Sequence, residues 1–177
     1  MSLRSALRAQ TADCHAEVDA LFGNFSLSDP GDYKAFLRAH ARAVPAIESA
    51  LERAGIARLL PDWPERRRTP LLLADIAALD DLPPRPLQQP ELDDDASLWG
   101  AVYVLEGSKL GGAMLARTVP AHLPSVYLSP QGPKGSMRLF MDSLDASGID
   151  DIAGAVAAAR HAFALFRKAA QLELETA

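Results

Sequence analysis

A single cysteine, Cys14, is the only thiol in this chain of 177 residues. It excludes an intramolecular disulfide and any multi-cysteine zinc or iron–sulfur site, and it fits a reducing cytoplasm. Positive charge is also short: 18 Lys+Arg stand against 23 Asp+Glu, a formal net charge of −5. That balance argues against a nucleic-acid backbone as the main partner. No apolar run reaches the roughly 18 residues that a membrane span needs. The opening MSLRSALRAQ places arginines where a signal peptide would be apolar. The expectation is a cytoplasmic protein with neither membrane nor nucleic acid as partner. Runs of alternating β-branched residues are missing, and so is any internal repeat. HExxH, a P-loop, a G-x-S-x-G elbow and a G-x-G-x-x-G fingerprint are absent, so hydrolase, NTPase and dinucleotide chemistry have no support. A di-iron bundle needs Glu three residues before His, twice. The residues three before His15, His40, His122 and His161 are Ala12, Leu37, Val119 and Ala158.

What is present is helical. Apolar residues make up 49% and charged residues 23%, ordinary values for a globular chain. The length suits one domain over 1–177, able to bury about 70% of its unfolded surface. Leu3, Leu7, Thr11, Cys14, Val18 and Leu21 recur at helical spacing and predict a helix over 3–22, ended by Gly23-Asn24 through their tolerance of left-handed backbone. Ser28 or Asp29 caps a second helix, with Pro30 in its first turn and a stripe from Tyr33 to Leu51 that stops near Gly55. Pro45 inside the stripe reads as a kink. A shorter helix is expected over 65–79, and four prolines in ten residues make 83–92 an extended connector. Asp93-Asp94-Asp95 suits the positive N-terminus of a helix running to about Arg117. After an irregular stretch over 119–132, two more helices fit 133–146 and 150–176. The fold class is all-α: a single-domain bundle of six or so helices.

The most unusual local feature is WGAVYVLEGSKLGG, residues 99–112. Glycine costs roughly 1 kcal/mol relative to alanine inside a helix, and Gly107, Gly111 and Gly112 all fall here. Gly107 and Gly111 are one turn apart, so one face lacks side chains. Either another helix packs closely there, or a flat ligand lies against the backbone; spacing leaves both open. His15, four residues after Thr11 on the first helix, is on its own an ordinary helix residue. Facing a glycine-thinned helix, it becomes a candidate axial ligand for haem iron.

Together, Thr11-x-x-x-His15 and YVLEGSKLGG at 103–112 resemble the biliverdin-producing haem oxygenases, most closely their bacterial, phytochrome-associated branch. The resemblance extends over nearly the whole chain in length, helix order and motif placement. It implies a haem oxygenase-like fold with haem sandwiched between a proximal helix, carrying His15 as iron ligand, and a kinked distal helix. Gly107 and Gly111, with Gly112 behind them, would form the distal surface that steers bound O2. Haem would be cofactor and substrate at once, opened at a meso carbon by O2 and electrons from an external reductase or ferredoxin, to give biliverdin, CO and ferrous iron. A phytochrome could then receive the biliverdin. The resemblance further implies propionate binding by Arg8 and by Lys134 and Arg138, with Phe163 and Phe166 walling the pocket or packing the core. It departs at Ser108, where many members carry an aspartate that organises water.

His40 reads as a buried, hydrogen-bonded residue, and His122 and His161 as structural or exposed. Cys14 points about 100° around the helix from His15 and should not share the iron. Arg66-Arg67-Arg68 reads as a solvated face, with a docking patch for an acidic electron donor as the alternative. Two alternatives stand beside the oxygenase: a non-catalytic haem carrier or sensor of the same fold, kept open by Ser108, and a helical relative acting on thiamin or quinone precursors.

Overall fold

A computed structural model describes residues 1–129 and 132–176. All regular structure among them is helical. The stripe over 3–22 forms two helices, α1 (Leu3–Gln10) and α2 (Ala12–Phe22), with a bend at Thr11. Thr11 sits at φ −122° and ψ 6°, and its hydroxyl donates to the Leu7 carbonyl at 2.7 Å, competing with the regular ladder. Across the bend, among the described residues, only Thr11 N–H to the Leu7 carbonyl and His15 N–H to the Thr11 carbonyl, at 3.2 and 2.9 Å, carry the backbone ladder on, and the Gln10 carbonyl accepts from Arg160 instead. The exit at Gly23 differs from expectation. Gly23 keeps φ −63°, and the Asn24 amide instead donates to the carbonyls of Ala20 and Leu21.

Asp29 caps α3 (Pro30–Arg53) by accepting from Asp32 N–H at 2.9 Å. The helix runs through Pro45 and ends where Gly55 takes φ 85°. The single helix expected over 65–79 is two, α4 (Trp63–Arg66) and α5 (Thr69–Ala78). Pro64 and Pro70 each take a first-turn position, which proline favours, and Arg67 between them is extended. Glu48 of α3 anchors the junction, accepting from Arg68 N–H, Thr69 N–H and the Thr69 hydroxyl. Residues 83–92 form no helix or strand.

Asp94 and Ser97 make a reciprocal capping box at the start of α6 (Asp95–Leu115), satisfying two otherwise orphaned donors. The helix expected from 133 begins later, as α7 (Ser136–Asp145), because the chain first turns at Gly135 with φ 89°. The last helix, α8 (Ile152–Thr176), is the spine on which α1, α2, α3 and α6 all pack. Its buried alanines, Ala155, Ala159, Ala162, Ala169 and Ala170, let partner helices approach closely. The closest approach is at Gly100 of α6, where a Cβ would lie 2.0 Å from the Ala155 carbonyl oxygen.

Candidate active site

A cavity of about 520 Å³ opens between α2 and α6, with aromatic side chains of α3 and α8 among its walls. That volume is in the range of small-molecule sites, about 300–1,000 Å³. Arg8, Thr11 and His15 line it from one side, and Gly107, Ser108 and Gly111 from the other. The two motifs thus meet across one space. Phe163 and Phe166 line it too, and Phe166 is also buried in the core.

His15 is 64% exposed at its side chain. Its ring stands edge-on to Phe163, with centroids 5.8 Å apart. Nδ1 lies 3.4 Å from the Asp19 carboxylate, one helical turn on. The carboxylate faces Nδ1 rather than Nε2, so the Nε2 side of the ring is left to the cavity and to a metal. Asp19 escaped the sequence reading, although its i, i+4 spacing from His15 was the signal.

The glycine face of α6 is open. A Cβ on Gly107 or Gly111 would meet no described atom within 4 Å beyond its chain neighbours and its own helix backbone, so no described helix packs there. Close packing against a helix is the work of Gly100 instead. Gly112 points away from the cavity, and a Cβ there would come 3.3 Å from Leu128 Cδ2. Ser108 donates its hydroxyl proton to the Leu105 carbonyl at 2.7 Å and accepts from the Arg68 guanidinium.

The arginine run is not a solvated face. Arg66 and Arg68 are buried, because the break between α4 and α5 turns these alternate side chains inward. Arg66 pairs with Glu106 at 3.2 Å and Asp62 at 2.8 Å, and Lys109 pairs with Glu106 at 2.7 Å. Arg68 lies 4.7 Å from the centroid of the Tyr127 ring, a cation–π contact. Of the three only Arg67 is partly exposed, beside Glu52 at 3.1 Å.

His40 is hydrogen-bonded as expected, but it also lines the cavity. Its Nδ1 lies 2.5 Å from the Tyr127 hydroxyl, and the rings of Phe36 and Phe22 have centroids 4.4 and 4.9 Å from its own. Burial, aided by the Arg68 charge, pushes its pKa down to about 3, so the ring is neutral at pH 7. Burial also pushes the Tyr127 hydroxyl up to about 12. Tyr103 lines the cavity with its hydroxyl raised by burial and partly offset by Arg8.

Lys134 and Arg138 do not line the cavity. Arg138 is exposed on α7, 4.0 Å from Asp142. Cys14, His122 and His161 lie outside it as well. Among the described residues, no group of three His, Cys, Asp or Glu side chains could hold a metal ion by itself. No described helix is long and apolar enough to cross a membrane.

No family model matches the chain. In fold it is similar to the haem oxygenase of Neisseria meningitidis, solved with NO and CO bound. The TM-score is 0.82 over 99% of this chain and 93% of that one, at 22% identity. It is similar as well to the haem oxygenase of Leptospira interrogans, with a TM-score of 0.76 over 97% of this chain and 100% of that one, at 20% identity. In sequence it is 32% identical over 146 residues to a haem oxygenase of Xanthomonas campestris pv. campestris, covering 75% of this chain and 87% of that protein. With that identity over most of both chains, on the same all-helical fold, the chain belongs to the haem oxygenase family.

Proposed function

We propose that the protein is a working haem oxygenase: with O2 and electrons from an external reductase or ferredoxin, it opens haem to biliverdin, CO and ferrous iron. The observation that carries this is the open face of α6. Gly107 and Gly111 give up helix propensity, about 1 kcal/mol each, yet among the described residues no atom beyond their chain neighbours and their own helix backbone lies within 4 Å of the Cβ positions they leave empty. The space they clear lies in the same cavity as an exposed histidine on α2.

The residues fit a flat apolar macrocycle with an anionic edge. Haem would supply the redox-active iron and is also the ring to be opened. His15 offers Nε2 to it, with the Asp19 carboxylate 3.4 Å from Nδ1 on the other side of the ring. Gly107 and Gly111 keep side chains off the opposite side, where O2 enters, and Gly112 seats that helix on Leu128. Arg8, with its long stem on the cavity wall, is the cation for a propionate. Thr11 holds the bend that joins Arg8 to His15. Lys134 and Arg138, outside the cavity lining, would reach in from solvent to bind the other propionate. Phe22, Phe36 and Phe166 exclude water from the inner wall. Ser108 offers one remaining lone pair to a cavity water, where an aspartate would offer charge. Biliverdin leaves for a receiving protein such as a phytochrome.

The test is an absorption time course of the protein with one equivalent of haemin in air, after adding ascorbate or a reductase. The oxygenase reading expects the Soret band to fall as the broad red absorption of biliverdin grows. A Soret band that forms and persists with an active reductase present would favour a carrier or sensor.

A further inference from the structure

Ser108 leaves a gap in the cavity's chemistry. Its one proton goes to the Leu105 carbonyl and one lone pair to Arg68, so it can accept from the cavity but cannot donate into it. His40 lines the same cavity and is linked back to Ser108 through Tyr127 and Arg68. Hydrogen-bond bookkeeping fixes how His40 is protonated. Tyr127 is 1% exposed, and among the described residues its hydroxyl touches only His40 Nδ1. If Nδ1 carried the proton and donated to the phenol oxygen, the phenol's own proton would be buried without an acceptor, which costs about 1–3 kcal/mol. If the phenol donates instead, both atoms are satisfied and the imidazole proton sits on Nε2. Among the described residues that nitrogen has no hydrogen-bond partner, and the ring it belongs to lines the cavity.

We infer that Tyr127 locks His40 as its Nε2–H tautomer, making His40 the hydrogen-bond donor that positions a ligand or water on the Ser108 side of the cavity. His40 is here a positioning residue, and its task as a donor to a haem ligand rests on the function proposed above. Arg68 adds to the lock, since a cation over the Tyr127 ring makes its hydroxyl a better donor. The ring needs no charge to do this, and its low pKa keeps it neutral.

Two measurements test the inference and separate its failure from that of the haem reading. The first needs no haem: the ring-nitrogen NMR shifts of His40 in the ligand-free protein at pH 7. They are expected to show Nε2 protonated and Nδ1 bare, and Tyr127→Phe is expected to mix the tautomers. A proton on Nδ1, or shifts unchanged in Tyr127→Phe, would overturn the lock. The second uses ferric haem-loaded protein and fluoride, a strong hydrogen-bond acceptor, with carbon monoxide on the reduced form as a weak acceptor for comparison. His40→Leu is expected to weaken fluoride binding roughly tenfold, as for a hydrogen bond to a charged acceptor. Carbon monoxide affinity should change far less, and His40→Gln, which keeps an N–H donor, should restore part of the loss. Equal effects on both ligands would make His40 merely structural and overturn its role as donor. Absence of any Soret band in the wild type would instead sink the haem reading, while the NMR result would still decide the tautomer.

Discussion

The two helices that flank the cavity are built in opposite ways. None of the residues of α2 is buried. Its half-buried Cys14, Val18, Leu21 and Phe22 rest on the core, and exposed ion pairs tie it to α8, Arg160 with Asp13 at 2.8 Å and Arg167 with Glu17 at 2.9 Å. Helix α6 is sunk into the bundle: Gly100 meets the α8 backbone, and Arg66 and Lys109 pair with the buried Glu106 on its far side. The helix carrying the candidate ligand is thus held at its surface, while α6 is deeply packed through its first half, up to the glycine face. A group that bridges the two would complete the packing of α2 and change α6 little.

The largest test of that contrast is at Gly100. Gly100→Val drives a side chain into the Ala155 carbonyl, and neither backbone can give way. It should cost about 3 kcal/mol or more, read as a fall in the urea midpoint. Next is haem itself. Amide hydrogen exchange should show α2 poorly protected without haemin and protected with it, while the first half of α6 stays protected in both states. If α2 is as protected as α6 without haemin, the contrast fails. At Gly107 the sign reverses: Gly107→Ala meets nothing, so it should stabilise the haem-free protein by up to about 1 kcal/mol. The same urea titration reads it, and a loss of stability would mean the face is not open. Smallest is the surface tie. The Arg160 guanidinium lowers the Asp13 carboxyl to about 2 from an ordinary 3.8. A lowered carboxylate stabilises the fold above the unfolded value and loses that contribution as pH falls through the folded one. Asp13→Asn should therefore lower the urea midpoint slightly at pH 6, and the difference should vanish near pH 2.

Most of the helix plan was legible because the apolar period and caps such as Asp29 and Asp94 are local signals. The misreadings have local causes too. Thr11 bends a stripe that continues on both sides of it, so periodicity carried straight through. Pro64 and Pro70 marked two helix starts, but Leu71, Leu72 and Ile76 suggested one helix. The site was half legible. His15 and the glycines carry a spacing that singles them out, and Asp19 carries one that was overlooked. The Arg68, Tyr127 and His40 chain has no sequence signature. It depends on where the break before α5 and the segment before α7 bring side chains together, and three arginines in a row read as surface until that geometry turns two of them inward.

The central claim is that α2 and α6 enclose a haem held through His15. The most direct measurement is an absorbance titration of haemin into the wild type and His15→Ala, each repeated with added imidazole. The account predicts a saturable Soret band at one equivalent in the wild type, an altered and weaker one in His15→Ala, and recovery of the wild-type spectrum when imidazole fills the gap. A His15→Ala spectrum and affinity equal to those of the wild type would contradict it.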